Sequence, residues 1–489
     1  MVKTNSPESL VAKIWSFCDT LRDDGVSYGD YLEQITYLLF LKMADESSST
    51  KNYYKIPLGC DWKSLYITDV TLLINKYSKS LKKLANAGGM LTKIFTGAQN
   101  KIHDQNKLRK LIELINQENW ISESFDIKGD IYESLLQKNA ENSGAGQYFT
   151  PRPIIQAMVA CISPKPKQTI SDPSCGTGGF FLGALNYLRT NYKLTPTEKN
   201  VLKFKTFHGW EIVPSTARLC LMNLFLHGIG DLKTTPEIDV VDSLKDINRK
   251  KVDIVFANPP FGKTSSDIIT NDEKKAKLPG YYYRKDIWVT TSNKQLAFLQ
   301  HIVSMLDKDG KAAVVLPDNI LFEAGSGEIV RKKLLETVDL HTILRLPTGI
   351  FYAQGVKANI LFFEMVKKTK KPATKEVWIY DYRTNVHHTL KKNSLQFEDL
   401  KDFIKCYNVI NRKKRKETWS EKNDKGRWKK FTYDQIVSRD KVNLDIFWLR
   451  ENNLLDLENL PDPDTLIDDI IEDIESALSN FKTIKDSIN

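Results

Sequence analysis

Apolar residues recur every three or four positions at the start of the chain. After Ser6-Pro7-Glu8, a proline-led helix start, Leu10, Ile14, Phe17 and Leu21 fall on one face. Tyr31, Ile35, Leu38, Leu39 and Met43 repeat the spacing from Asp30. Similar patterns predict helices over 70–85 and 103–116, whose lysines read as solvated outer faces. From Gly144 the period changes. Short β-type runs at 168–172, 205–211, 237–241, 252–258, 311–316 and 342–346 alternate with helical stretches. That alternation implies parallel β-α-β units in a doubly wound sheet. A further strand, 358–365, follows Gly355 with little room for a crossover helix, so it is expected to pair antiparallel at the edge of the sheet.

Beyond the sheet the pattern weakens. Residues 367–375 and 411–430 read as exposed loop or linker. In the second, Trp419 and Trp428 interleave with Arg427, Lys429 and Lys430, which suits either nucleic-acid contact or a solvated connector with packed tryptophans. After Pro461 and Pro463, Ile467, Ile474, Phe481 and Ile488 stand seven apart, with Ile470, Ala477 and Ile484 between them. Such a heptad seam needs a partner to bury its stripe, either another subunit or the chain's own N-terminal helices.

Composition narrows the class. A chain of 489 residues, 41% hydrophobic and 27% charged, is expected to be soluble and to form two or three domains. Its start, Met1-Val2-Lys3-Thr4-Asn5, lacks a signal-peptide pattern, and the apolar run from Tyr37 to Leu41 is far too short to span a bilayer. A cytoplasmic location and no membrane partner are expected. Cysteines 18, 60, 161, 175, 220 and 406 show neither CxxC pairing nor metal-ligand spacing with the histidines, so they read as reduced thiols and no metal is expected. The net charge of +10 is uneven: 451–489 holds eleven Asp/Glu against two Lys/Arg, which leaves about +19 on the remainder. A basic body suits a polyanionic partner.

The candidate chemistry centres on Asn258-Pro259-Pro260-Phe261, which closes the apolar run 252–257. Two prolines stop any ladder or helix there, leaving a stiff loop at a strand's C-terminal end, where open α/β sheets bind ligands. The Asn258 side-chain oxygen and the Pro259 carbonyl could accept both N–H bonds of an exocyclic amine, while Phe261 stacks on the ring. Base–aromatic stacking is worth roughly 1–3 kcal/mol. The same tetrapeptide also suits a proline-stiffened loop with a buried Phe.

A second cluster could hold a nucleoside cofactor. Asp172-Pro173-Ser174-Cys175-Gly176-Thr177-Gly178-Gly179 forms the first β-α turn, where glycines permit close backbone approach and a free helix N-terminus. The bunched glycines depart from GxGxxG, so a nicotinamide cofactor is not expected. Glu211 ends the second strand, where it could accept from ribose hydroxyls, and Asp242 follows the third.

Together these residues resemble an amino-group DNA methyltransferase using S-adenosylmethionine. More narrowly, the chain resembles the modification (M) subunit of type I restriction–modification systems. Supporting segments are Gly146-Gln147-Tyr148-Phe149-Thr150-Pro151-Arg152, Asn223-Leu224-Phe225-Leu226-His227-Gly228-Ile229, Phe298-Leu299-Gln300-His301, Leu316-Pro317-Asp318 and Leu346-Pro347-Thr348-Gly349-Ile350-Phe351, in family order. Leu39-Phe40-Leu41-Lys42 fits that family's helical domain. The resemblance covers roughly residues 10–385.

It implies a Rossmann-like, doubly wound methyltransferase sheet with a helical N-terminal domain and a helical C-terminal tail. It implies cofactor contacts from Gln147, Tyr148, Phe149, Thr150, Pro151, Arg152, Asp172, Gly176, Thr177, Gly178, Gly179 and Glu211, with Asp242 near the cofactor adenine or the target. Asn258, Pro259, Pro260 and Phe261 would hold a flipped adenine for methylation at N6. Cys175 should be inert. Implied partners are double-stranded DNA, a specificity subunit that reads the sequence, a second modification subunit and a restriction (nuclease/translocase) subunit. The expected divisions are 1–140, helical; 141–400, methyltransferase; 401–460, basic linker or peripheral region; and 461–489, assembly helix. Residues 281–285, Tyr281-Tyr282-Tyr283-Arg284-Lys285, lie in a polar loop that suits either DNA contact or partly buried surface. Alternatives are methylation of an RNA base or a protein glutamine, and a cofactor-binding scaffold without catalysis.

Overall fold

A computed structural model describes residues 15–17, 21, 25–47, 56–117, 134–136, 149–245, 250–262, 264–351, 357–367, 370–389, 393–450 and 467. The chain forms two compact units, Met1–Phe149 with Lys165–Ser243, and Thr150–Pro164 with Leu244–Asn489. Of the first helix face expected from the N-terminus, Phe17 and Leu21 are buried, while Leu10, Ile14 and most of the heptad tail lie outside the described residues. Among the described residues no helix is long and apolar enough to cross a membrane.

In the first unit the helix Tyr28–Ser47 is the core. Tyr31, Leu32, Ile35, Tyr37, Leu38, Phe40 and Leu41 are all fully buried, the burial of a helix apolar on every side. Around it lie Val70–Ala85 and Gln105–Asn116, each amphipathic, with Leu73, Tyr77, Leu81 and Leu84 turned inward on the first. Asp69 and Asp104 cap these two helices by accepting backbone N–H groups, each cap being worth about 1 kcal/mol. Three parallel strands complete the unit: β1 (Ile170–Asp172), β2 (Phe207–Trp210) and β3 (Glu237–Asp239), in the order β1-β2-β3. The helix Pro214–Leu226 joins the two parts, since Phe225 meets Phe40 at 5.1 Å and Arg218 pairs with Glu33 and donates to Thr96 O. The helical region therefore shares a core with the first three strands.

The second unit is built on β4 (Val252–Ala257), a small sheet of β5 (Thr264–Thr270), β6 (Tyr281–Tyr283) and β7 (Thr291–Asn293), then β8 (Leu306–Pro317), β9 (Val338–Arg345), β10 (Ala358–Met365), β11 (Glu376–Asp381) and β12 (Trp428–Thr432). Its larger sheet runs β12-β11-β9-β10-β8-β4. β4 pairs parallel with β8 and β9 with β11, while β10 and β12 are antiparallel to their neighbours. Residues 312–316 of β8 and 360–363 of β10 have almost no exposed surface, so helices cover both faces.

Three expectations change. Strand 358–365 is antiparallel as expected but lies inside the sheet, because it inserts between β8 and β9 and pairs with both, which leaves the edge to strands beyond β9. The stretch 411–430 is not a linker throughout: Trp428 opens β12, is fully buried and stacks on Trp378 at 5.3 Å. The polar region after Phe261 is a three-stranded sheet, not a loop. Buried Arg284 fastens it by donating to Leu244 O, Asp286 Oδ1, Ser304 Oγ and His301 Nδ1.

Candidate active site

β1 runs straight into the glycine turn. Asp172 is buried at the strand end, and its Oδ1 accepts the N–H of Ser174 at 2.9 Å. Cys175 N donates to Trp210 O, and Gly178 N closes the turn on Cys175 O. Gly176 and Gly178 take left-handed φ values of 53° and 83°, which L side chains adopt only at a cost. A Cβ on Gly178 would also press on Cys220 Sγ at 3.0 Å. From the helix Pro214–Leu226, Asn223 Nδ2 donates to Thr177 O at 3.0 Å and steadies the turn from beneath.

Glu211 spans the turn and the end of β2. Its Oε2 accepts from Gly176 N at 3.1 Å and its Oε1 from Val213 N at 2.8 Å. Burial raises its pKa, opposed by those two N–H groups. Burial also pushes the Asp172 carboxyl up to about 8, with the Glu211 charge adding to the shift and the Ser174 N–H opposing it. Cys175 is held protonated by Cys220, whose sulfur is 3.9 Å away, and by burial, so it is no nucleophile. Asp242, half-buried, follows β3. Around these acids stand three apolar side chains in water: Ile212, 63% exposed, and Val240 and Val241, each 46% exposed. Sequence reasoning missed all three, since only their exposure beside two acids singles them out.

In the second unit β4 delivers Asn258 to its C-terminal end. Asn258 Nδ2 donates to Thr150 Oγ1 at 3.0 Å, which turns the amide oxygen the other way. Thr150 and Pro151 lead into the helix Arg152–Ile162, with Pro151 as its N-cap. Pro259 is buried and Pro260 exposed. Phe261 stands edge-to-face with buried Phe351, ring centres 5.8 Å apart and planes at 86°.

A buried ionic cluster at the same sheet end was also missed. Arg345, fully buried at the end of β9, donates from Nε to Asn359 Oδ1 at 2.9 Å and pairs with Asp318 and Asp445. Arg383 pairs with the same two carboxylates and lies 4.0 Å from the Phe447 ring centre. This cluster anchors the strand end from which the Phe351 segment departs.

The expected site residues thus fall into two groups within their own units. Asp172, Gly176, Thr177, Gly178, Gly179 and Glu211 meet at the turn, with Asp242 beyond β3; Thr150, Asn258 and Phe261 gather at the end of β4. Phe149 is buried in the first unit, and Gln147 and Tyr148 lie outside the described residues.

A family model described as N-6 DNA Methylase matches residues 123–446, and one described as HsdM N-terminal domain matches 10–115. The type I restriction enzyme EcoKI methylase subunit of Escherichia coli K12 is 36% identical over 514 aligned residues, 97% of this chain and 94% of that one. The chain belongs to the type I restriction enzyme methylase subunits.

Other members agree. The EcoEI methylase subunit of Escherichia coli is 32% identical over 90% of both chains. The crystal structure of the EcoKI M protein aligns over 98% of this chain and 96% of that one, with a TM-score of 0.55 and 31% identity. A type I restriction-modification system methyltransferase subunit from Streptococcus thermophilus aligns with a TM-score of 0.70 over 89% of this chain and 98% of that one; at 20% identity it shows the fold. This methylase subunit has the methyltransferase fold, a central mixed sheet with flanking helices and an N-terminal helical region.

Proposed function

We propose that this methylase subunit transfers a methyl group from S-adenosylmethionine to N6 of an adenine in double-stranded DNA, while a separate specificity subunit reads the sequence. The observation that carries this reading is Asn258, placed at the end of β4 with its amide nitrogen committed to Thr150 Oγ1. Its oxygen then faces the other way as an acceptor. The adenine amine is a poor nucleophile because its lone pair is delocalised into the ring. Acceptance of its N–H bonds by Asn258 Oδ1 and the Pro259 carbonyl favours a pyramidal nitrogen with a directed lone pair. Phe261, its ring set by Phe351, stacks on the base. N6 lies inside the duplex, so the base is extruded, at a cost of a few kcal/mol that this pocket offsets.

The first unit's turn fits a nucleoside cofactor on its own geometry. Gly178 takes a left-handed φ that a side chain would strain, and Glu211 holds a carboxylate fixed by two backbone N–H groups, able to accept from ribose hydroxyls. Ile212, Val240 and Val241 supply an apolar wall for an adenine ring. When bound, S-adenosylmethionine supplies an electrophilic methyl group on a sulfonium sulfur. The protein's part is alignment and hydrogen-bond polarisation, and positioning can supply several kcal/mol of barrier reduction. The proton that N6 releases passes to water.

The assembly partners proposed are a specificity subunit, a second methylase subunit and a restriction subunit, with 461–489 as one assembly segment. The test is incubation with methyl-labelled cofactor, with and without a specificity chain, on duplex DNA and on RNA. N6-methyladenine should form in DNA only; label in RNA or in protein glutamine would overturn the assignment.

A further inference from the structure

We infer that the basic hairpin leading into β12 is a second DNA contact, which grips the sugar–phosphate backbone of duplex flanking the target adenine. The inference rests on the proposed action on duplex DNA. Residues 411–430 carry ten Lys/Arg against three Asp/Glu, at 417, 421 and 424. Several of the cations are already engaged. Arg412 pairs with Glu364, Lys430 with Glu376, Arg427 donates to Asp381 O, and Arg415 is buried against Tyr407 and Trp428. Lys413, Lys414, Lys416, Lys422 and Lys425 are exposed and form no ion pair among the described residues.

This surface is rigid. Thr418 N donates to Trp428 O, Trp428 N to Thr418 Oγ1 and Asn423 Nδ2 to Thr418 O, and a Cβ on Gly426 would overlap the Thr418 carbonyl. Lys429 Nζ sits 3.2 Å from the Trp419 ring centre. With the backbone of 418–428 already held, bringing its lysines to phosphates needs less ordering than a mobile linker would.

Topology places it usefully. β4, β8, β9 and β11 run in one direction and β12 opposes β11, so the loop entering β12 and Asn258 leaving β4 lie at one end of the same sheet. Five strand spacings of ~4.8 Å separate them, roughly 24 Å. Along a duplex with a rise of about 3.4 Å, that is about seven base pairs. A competing occupant is the acidic stretch 451–489. The chain reaches it from Trp448, which donates to Gly426 O at 3.0 Å and packs on Phe431. The span from the hairpin to Asn258, however, matches a duplex flank, which favours DNA as the occupant.

The test replaces Lys413, Lys414, Lys416, Lys422 and Lys425 together by Gln in the full chain, assembled with its specificity subunit. DNA affinity is measured against salt on a duplex reaching about 15 base pairs either side of the target, and on one cut to about 5. On the long duplex the variant should bind at least about tenfold more weakly near 0.1 M salt, with the slope of log affinity against log salt shallower by about 2–4. On the short duplex variant and parent should match, and kcat at saturating DNA should not change. Equal affinity and slope on both duplexes, as expected if the acidic stretch holds the hairpin, overturns the inference. So does an equal loss on both. If the parent neither binds nor methylates DNA, the proposed function falls with it; a parent that does both while the variant behaves identically sinks this inference alone.

Discussion

Asn258 donates its amide N–H to the hydroxyl of Thr150 at 3.0 Å, although the two are 108 positions apart in sequence. The bond assigns the two ends of one amide to different tasks. Thr150 holds the nitrogen, and in the proposed chemistry the oxygen addresses the amine. Thr150→Val should therefore lower kcat for DNA methylation by roughly tenfold, the effect of about 1.4 kcal/mol. Thr150→Ser should keep most of the activity. Steady-state kinetics on both variants, with cofactor affinity as the control, checks this; equal losses would mean that the hydroxyl does not orient Asn258.

Gly349 has a φ of +79°, and a Cβ there would overlap the backbone carbonyl of His388. Gly349→Ala must shift the turn that carries Phe351, and with it the ring that sets Phe261. Base stacking should suffer more than cofactor binding. A fluorescent adenine analogue at the target position should show less unstacking with this variant than with the parent; parental fluorescence would show that the turn does not set Phe261.

Arg345 is fully buried between Asp318 and Asp445. Arg345→Met leaves the two carboxylates with Arg383 alone of their two shared cations, which should cost about 3–5 kcal/mol of stability. Adding Asp445→Asn should restore part of it. Denaturant titration of the single and double variants measures the coupling, and additive losses would contradict it.

Asp172 gives a pH signature. Burial raises its carboxyl to about 8 in the folded protein, whereas an unfolded chain releases that proton near pH 4. Between these values the folded state binds more protons than the unfolded one, so stability falls as pH rises, by up to about 1.4 kcal/mol per unit. Glu211, also raised, contributes with the same sign. Thermal melts of the cofactor-free protein from about pH 5 to about pH 8 should show a decline that Asp172→Asn largely flattens. An unchanged slope in the variant would place the titration elsewhere.

How much of this was legible beforehand varied by element. β4 and the second half of β8 could be read as apolar runs, and β1 and β2 because each leads into a motif with chemistry of its own. β10 was recognised but placed at an edge, because its insertion between β8 and β9 leaves no mark in the apolar pattern. Residues 419–430 suited either nucleic-acid contact or a solvated connector with packed tryptophans, and what neither reading contained is the strand that Trp428 opens, stacked on Trp378 in the core. The sheet β6-β5-β7 was hidden by polar composition. Its order comes from a buried arginine, Arg284, and a small cluster of Leu244, Ile269, Ile287, Ala297 and Phe298. The candidate site residues were legible from their motifs, whereas Ile212, Val240, Val241 and the Arg345 cluster depend on exposure and long-range pairing, which spacing does not reveal.

The account turns on Asn258 as the group that holds the target amine. Paired measurements on Asn258→Ala, methyl transfer to duplex DNA and equilibrium binding of S-adenosylmethionine, address that directly. Transfer should disappear while cofactor affinity stays within about twofold, since a lost site contact should not cost more than about 0.4 kcal/mol elsewhere. Retained transfer, or loss of both together, would contradict it.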